Sequence, residues 1–201
     1  MNQVNEINQP ESRRISLKPH IILASIIFIA CITAGILIPA GGMEQVLEEM
    51  QAVIEMLESL SPIALLLVIF LNNAIKCLFV VFLGIVLGIP PVIFVCYNAY
   101  TIGALVAALG PELGYGVVTT SLLPHGIIEI PVLVFSTALG LSIGAEVWKY
   151  LTRQQSQVKK QLAFSLKIYF KWLTLALFVA AIIEVFVTPL IVSSSGFIPP
   201  I

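Results

Sequence analysis

Long apolar runs, broken by short polar or Gly/Pro-containing stretches, set the rhythm of this chain. From His20 to Ile38 there is no Lys, Arg, Asp or Glu, and the run exceeds the roughly 7 to 15 residues of a signal-peptide core. Pro39-Ala40-Gly41-Gly42 is a poor cleavage site, so the pattern predicts an uncleaved transmembrane helix. Met43 to Leu60 reads differently. Val46, Met50, Val53 and Leu57 recur at helical spacing while Glu44, Glu48, Glu49, Glu55 and Glu58 make the segment acidic. That describes an acidic amphipathic helix, too charged to cross, lying along the membrane, packed on the bundle, or offering a docking face to a partner. A second span is expected from about Pro62 to Ile89, ended by Pro90-Pro91, and a third reaching Leu109. Gly110 to Thr120 fits a short outer loop or a re-entrant segment. A fourth span covers about Leu122 to Ile143, Glu146 to Trp172 forms a basic amphipathic connector, and a fifth span runs from Leu173 to Val192. The expected fold is all-α: a polytopic transmembrane helix bundle of about five spans, with an amphipathic acidic helix after the first. It forms one transmembrane helical domain over residues 20–192, between a polar tail at 1–19 and a short C-terminal tail at 193–201.

Composition agrees with the pattern. Mean hydropathy is +1.04 and only 10% of residues are charged, against about a quarter in soluble domains. No room is left for a sizeable soluble domain, so any chemistry lies in the membrane or at its surface. Charge then orients the bundle, because cytoplasmic loops are enriched in Lys and Arg. Arg13, Arg14 and Lys18 precede the first span; Lys149, Arg153, Lys159, Lys160, Lys167 and Lys171 precede the last. Five crossings put both groups on the cytoplasmic side of the cell membrane and the acidic helix outside, with the N-terminus cytoplasmic and the C-terminus external. Cys31, Cys77 and Cys96 all fall in apolar runs without a Cys-x-x-Cys pair, and read as packing residues.

The candidate chemistry is the set of polar residues inside those runs. In Pro124-His125-Gly126-Ile127-Ile128-Glu129 an imidazole and a carboxylate lie four residues apart, on one helical face. An ionised group at the bilayer centre costs roughly 2.5 to 3.5 kcal/mol on insertion scales, so such a pair implies a buried partner, a water-filled cavity or a task. Asn72, Asn73 and Lys76 share a narrow arc of the second span, and Gly84 and Gly88 continue it as a Gly-x-x-x-Gly pair suited to close helix contact. Asn98 sits in the third span and Glu184 in the fifth. By depth the expectation is two layers: Asn72, Asn73, Lys76, Asn98 and Glu184 at the midplane with Lys76 and Glu184 paired, and His125 and Glu129 above them. The long Lys76 side chain could also reach Glu129. A hydrogen-bonded staple between helices, a proton or solute pathway, and hydrolytic or metal chemistry are the three uses open to this set. His20 is the only histidine besides His125, at the opposite mouth of the bundle, so a zinc site lacks ligands. Ser121 and Ser136 sit in no nucleophile elbow, and no phosphate-binding loop or dinucleotide fingerprint occurs. No metal, cofactor, nucleic acid or catalytic residue is assigned, and an enzyme is the less favoured reading.

From about Asn72 to Gly144 the order of features resembles the stage II sporulation protein M family of integral membrane proteins. The features are Asn72-Asn73 followed by Gly84 and Gly88, a proline turn, Asn98 with Gly103, Pro124-His125-Gly126 with Glu129, and the small residues Gly140 and Gly144. Gly84, Gly88, Gly126, Gly140 and Gly144 are then the expected helix-packing positions. The resemblance implies a multi-span bundle that, in spore formers, acts at the septal and engulfment membrane by recruiting peptidoglycan-degrading partners. Lys76 and Glu184 have no counterpart in that pattern. Two functions follow: a membrane scaffold or assembly subunit that meets the lipid bilayer and protein partners, a second copy of the chain among the options, or a small transporter or channel-like carrier using the Lys/His/Glu cluster.

Overall fold

The computed structural model describes residues 16–38, 48, 53, 56, 57 and 59–189 of the 201-residue chain. Most of the expected acidic helix over 43–60 and of both tails therefore lies outside the described residues. The rest is helical: α1 (Lys18–Leu37), α2 (Pro62–Phe82), α3 (Ile89–Leu113), α4 (Tyr115–Leu151) and α5 (Val158–Val187). All five are long and apolar enough to cross a membrane, and no strand occurs among the described residues.

Local chemistry explains where each helix starts and stops. Ser61 caps α2 by accepting from the Ala64 amide at 3.4 Å, and Pro62 follows where its missing amide costs nothing. The helix then ends earlier than its apolar run. A 3-10 turn at Leu83–Ile85 leads into Leu87 and Gly88, with φ of 55° and 73°. The chain reverses on these left-handed residues, while Pro90 and Pro91 open α3 instead of closing α2. Residues 110–120 are helical where a loop is expected: α3 runs past Pro111 to Leu113, Gly114 alone breaks the helix at φ 87°, and α4 begins at Tyr115. The basic connector is not a separate element either. α4 continues to Leu151, and the turn after it is held by Glu146, which pairs with Lys149 and accepts the Gln157 amide at 2.7 Å. α5 is one helical run from Val158, interrupted by π turns at Tyr169–Leu173 and Ile183–Val187.

α4 is the central helix. Of its apolar stretch 56% is buried, against at most 28% in any other span. One core joins Ala74, Cys77 and Val81 of α2 to Val132, Leu139 and Ile143 of α4 and Tyr169, Leu173 and Leu177 of α5. A second joins Phe28 of α1 to Val95 and Ala99 of α3 and Leu133 of α4. Backbone contact draws the helices together at glycines. A Cβ on Gly84 would collide with the Gly140 carbonyl, one on Gly144 with the Gly88 amide, and one on Gly140 would lie 2.6 Å from Pro91 Cγ. A Cβ on Gly35 of α1 would likewise meet the Tyr100 carbonyl, and one on Gly103 of α3 the Ile32 carbonyl. Gly126 differs from the other expected packing glycines, since an added Cβ there would meet only Ile130 of its own helix.

Candidate functional site

Glu129 sits on the buried side of α4, 9% exposed. The Asn73 carboxamide of α2 donates to its Oε1 at 2.7 Å, tying together two helices 56 residues apart in sequence. Such a bond answers the demand of a carboxylate out of water, which must have donors or lose its charge. Asn73 in turn accepts from Asn72 at 3.4 Å, and Asn72 lies on the exposed face of α2.

Around this pair lies a cavity of about 80 Å³ lined by Asn73, Lys76, Cys77, Phe94, Asn98, Ile102, Glu129, Ile130, Leu133 and Leu177. It is polar on the Asn73, Lys76, Asn98 and Glu129 side and apolar elsewhere, with room for a few waters at ~30 Å³ each. Asn98 donates to the Phe94 carbonyl at 2.8 Å within α3, which fixes its carboxamide at the cavity wall. Lys76 is exposed, and it also begins a second, apolar groove of about 410 Å³ between α2 and α3. Phe79, Val80, Leu83, Pro90, Ile93, Phe94 and Tyr97 line that groove.

The structure thus brings Asn73, Lys76, Asn98 and Glu129 to one cavity, with Asn72 beside it, and Glu129 joins the asparagines and the lysine in a single layer. Glu184 is elsewhere. Phe70 stacks edge-on against Phe178, and Tyr169 donates to the Ala74 carbonyl, so α2 and α5 run antiparallel in a fixed register. At ~1.5 Å per residue that register separates Lys76 from Glu184 by about 18 Å along the bundle. The expected Lys76–Glu184 midplane pair is therefore corrected: Glu184 falls in the π turn Ile183–Val187, level with the start of α2. The backbone of His125 lies in α4 one turn before Glu129, and its side chain lies outside the described residues.

A second polar group escaped the sequence reading. Gln161 of α5, 4% exposed, donates to Ser142 Oγ of α4 at 2.6 Å and lies 3.4 Å from Ser165 Oγ. The i, i+4 spacing of Gln161 and Ser165 within a lysine-rich stretch was the available signal, hidden by reading that stretch as a surface connector. Cys31 and Cys96 are also brought face to face, Sγ to Sγ at 2.7 Å across α1 and α3. No cluster of three or more metal-ligating side chains occurs among the described residues.

Five apolar helices, four of them packed on the central α4, with a hydrogen-bonded carboxylate inside, define a multi-pass helical membrane protein. The chain belongs to the stage II sporulation protein M family, whose model matches residues 24–189. Two uncharacterized proteins of Methanocaldococcus jannaschii are similar to it. MJ0793 is 28% identical over 123 residues, which cover 59% of this chain and 68% of that protein. MJ0706 is 29% identical over 123 residues, covering 60% of this chain and 54% of that protein, so the match spans about half the length of the latter. No solved structure matches at a significant level.

Proposed function

We propose that the protein is a membrane assembly subunit that receives a transmembrane helix of a partner on its α2–α3 face. The observation carrying this reading is the character of that face: Asn72 and Lys76, mid-span on α2, are exposed beside a groove of about 410 Å³ walled by apolar and aromatic side chains. Lipid tails solvate an amide and an ammonium poorly, whereas a neighbouring helix can supply acceptors to both. Phe79, Ile93 and Tyr97 are 58%, 63% and 70% exposed and offer the apolar contact such a helix needs. The partner-recruiting role implied by family resemblance supports the same reading. With the N-terminus cytoplasmic, the basic residues Lys149, Arg153, Lys159 and Lys160 around the α4–α5 turn add a second docking surface on the inner side.

A photo-crosslinking residue placed at Phe79 or Tyr97, and at Ile29 of α1 as a lipid-facing control, tests the reading in native membranes. Discrete adducts from the first two positions and none from the third are expected. No adduct from any position, or the same adducts from all three, overturns it. The transporter reading is kept by one observation, the polar cavity shared by Lys76, Asn98 and Glu129. Proton or solute flux in proteoliposomes that is lost in Glu129→Gln would favour it instead.

A further inference from the structure

α1 and α3 approach backbone to backbone at Gly35 and Gly103, where a side chain on either would collide with the other helix. That approach fixes what lies further along the same seam: Cys31 on α1 and Cys96 on α3, 65 residues apart, with sulfurs 2.7 Å from each other. Both are half-buried at the edge of the seam, within reach of small lipid-soluble molecules, whereas Cys77 is buried on α2 at 5% exposure. A disulfide needs its sulfurs at about 2.05 Å, so a further approach of roughly 0.7 Å between the two sulfurs would join them.

We propose that Cys31 and Cys96 form a redox-responsive dithiol, converted by a membrane quinone into a disulfide that clamps α1 to α3. The balance is complete: one S–S bond forms, two S–H bonds break, and the two electrons and two protons pass to the quinone, giving the quinol. A lipid-soluble oxidant suits the position, because water-borne oxidants reach a mid-span seam poorly. The nearest thiolate or metal chemistry offers no rival here, since two sulfurs alone make no zinc site.

The test uses the whole protein, reduced, in lipid nanodiscs without oxygen, and a fully substituted benzoquinone that oxidises thiols but cannot add to them. Thiols are then counted by maleimide labelling in denaturant. The expected result is a fall from three labels to one, a mass loss of two hydrogens, and one quinol formed per chain. Peptide mapping of the unmutated protein should recover the Cys31 and Cys96 peptides linked, independent of whether any variant folds. Cys77→Ser should fall from two labels to none, and Cys31→Ser should lose none. Three labels persisting after quinone, linkage involving Cys77, or disulfides only between chains would each overturn the proposal.

Discussion

Asn73 and Glu129 show how much a single hydrogen bond does in lipid. The bond is short at 2.7 Å and part-buried, with Glu129 the buried partner, yet side-chain hydrogen bonds in membranes average only about 0.6 kcal/mol and reach about 1.7, because the unfolded chain finds other partners. Asn73→Leu and Glu129→Leu should therefore couple by about 0.6 to 1.7 kcal/mol in a double-mutant cycle of unfolding in detergent or bilayer. Glu129→Gln, which keeps an acceptor for Asn73, should unfold close to the parent. Lys76→Met should cost little folding stability, since Lys76 is exposed; its effect belongs to partner capture or transport. Coupling within error of zero would show that the Asn73–Glu129 contact carries no stability. Part of this site could be read from the chain alone, since Asn72, Asn73, Lys76, Asn98 and Glu129 stand out in apolar runs. Their pairing could not. Depth depends on where the fifth span lies: a span at 173–192 puts Glu184 mid-helix, whereas Val158–Val187 puts it at the end.

At the scale of the element, glycines decide how close α2, α3 and α4 come. Gly84, Gly140 and Gly144 occupy positions where an added methyl would strike backbone or a proline ring, and overpacking of this kind costs typically about 1 to 3 kcal/mol. Gly140→Ala and Gly84→Ala should each lose that much in reversible unfolding. Gly116→Ala, with nothing within 4 Å of the new methyl, should be neutral or gain about 0.5 to 1 kcal/mol from helix propensity. Equal behaviour of the three would dismiss the glycine corner as the basis of packing. The span count was legible because apolar run length reports directly on membrane crossing. Boundaries were less so. Proline breaks a helix interior but starts a helix equally well, and Pro90-Pro91 does the second. The π turns of α5 each add a residue to a turn and shift the phase of the apolar face, which blurs the periodicity from Tyr169 onward.

For the whole molecule, the arrangement around α4 sets what can be separated from what. α1 packs on α3 and α4, and α2 and α5 pack on α4 from the other side, through cores that both include α4 residues. A chain truncated after Gly114 should therefore be degraded or aggregate in the membrane, although it keeps three complete spans. Co-expression of residues 115–201 should rescue it, measured as protease-resistant complex recovered in mild detergent. Stable accumulation of the truncated chain alone would mean that the outer helices assemble without the central one.

Among the described spans the central helix is also the fourth to be made. Asn73 enters the membrane with its acceptor 56 residues downstream, so at 5 to 20 residues per second it waits roughly 3 to 11 s for Glu129 to be synthesised. During that interval Lys76, the asparagines and the bare glycine backbones of the first three spans face whatever the insertion machinery or the bilayer offers. The finished fold is thus reached through a temporal gap, and a cell must bridge it for every copy it makes.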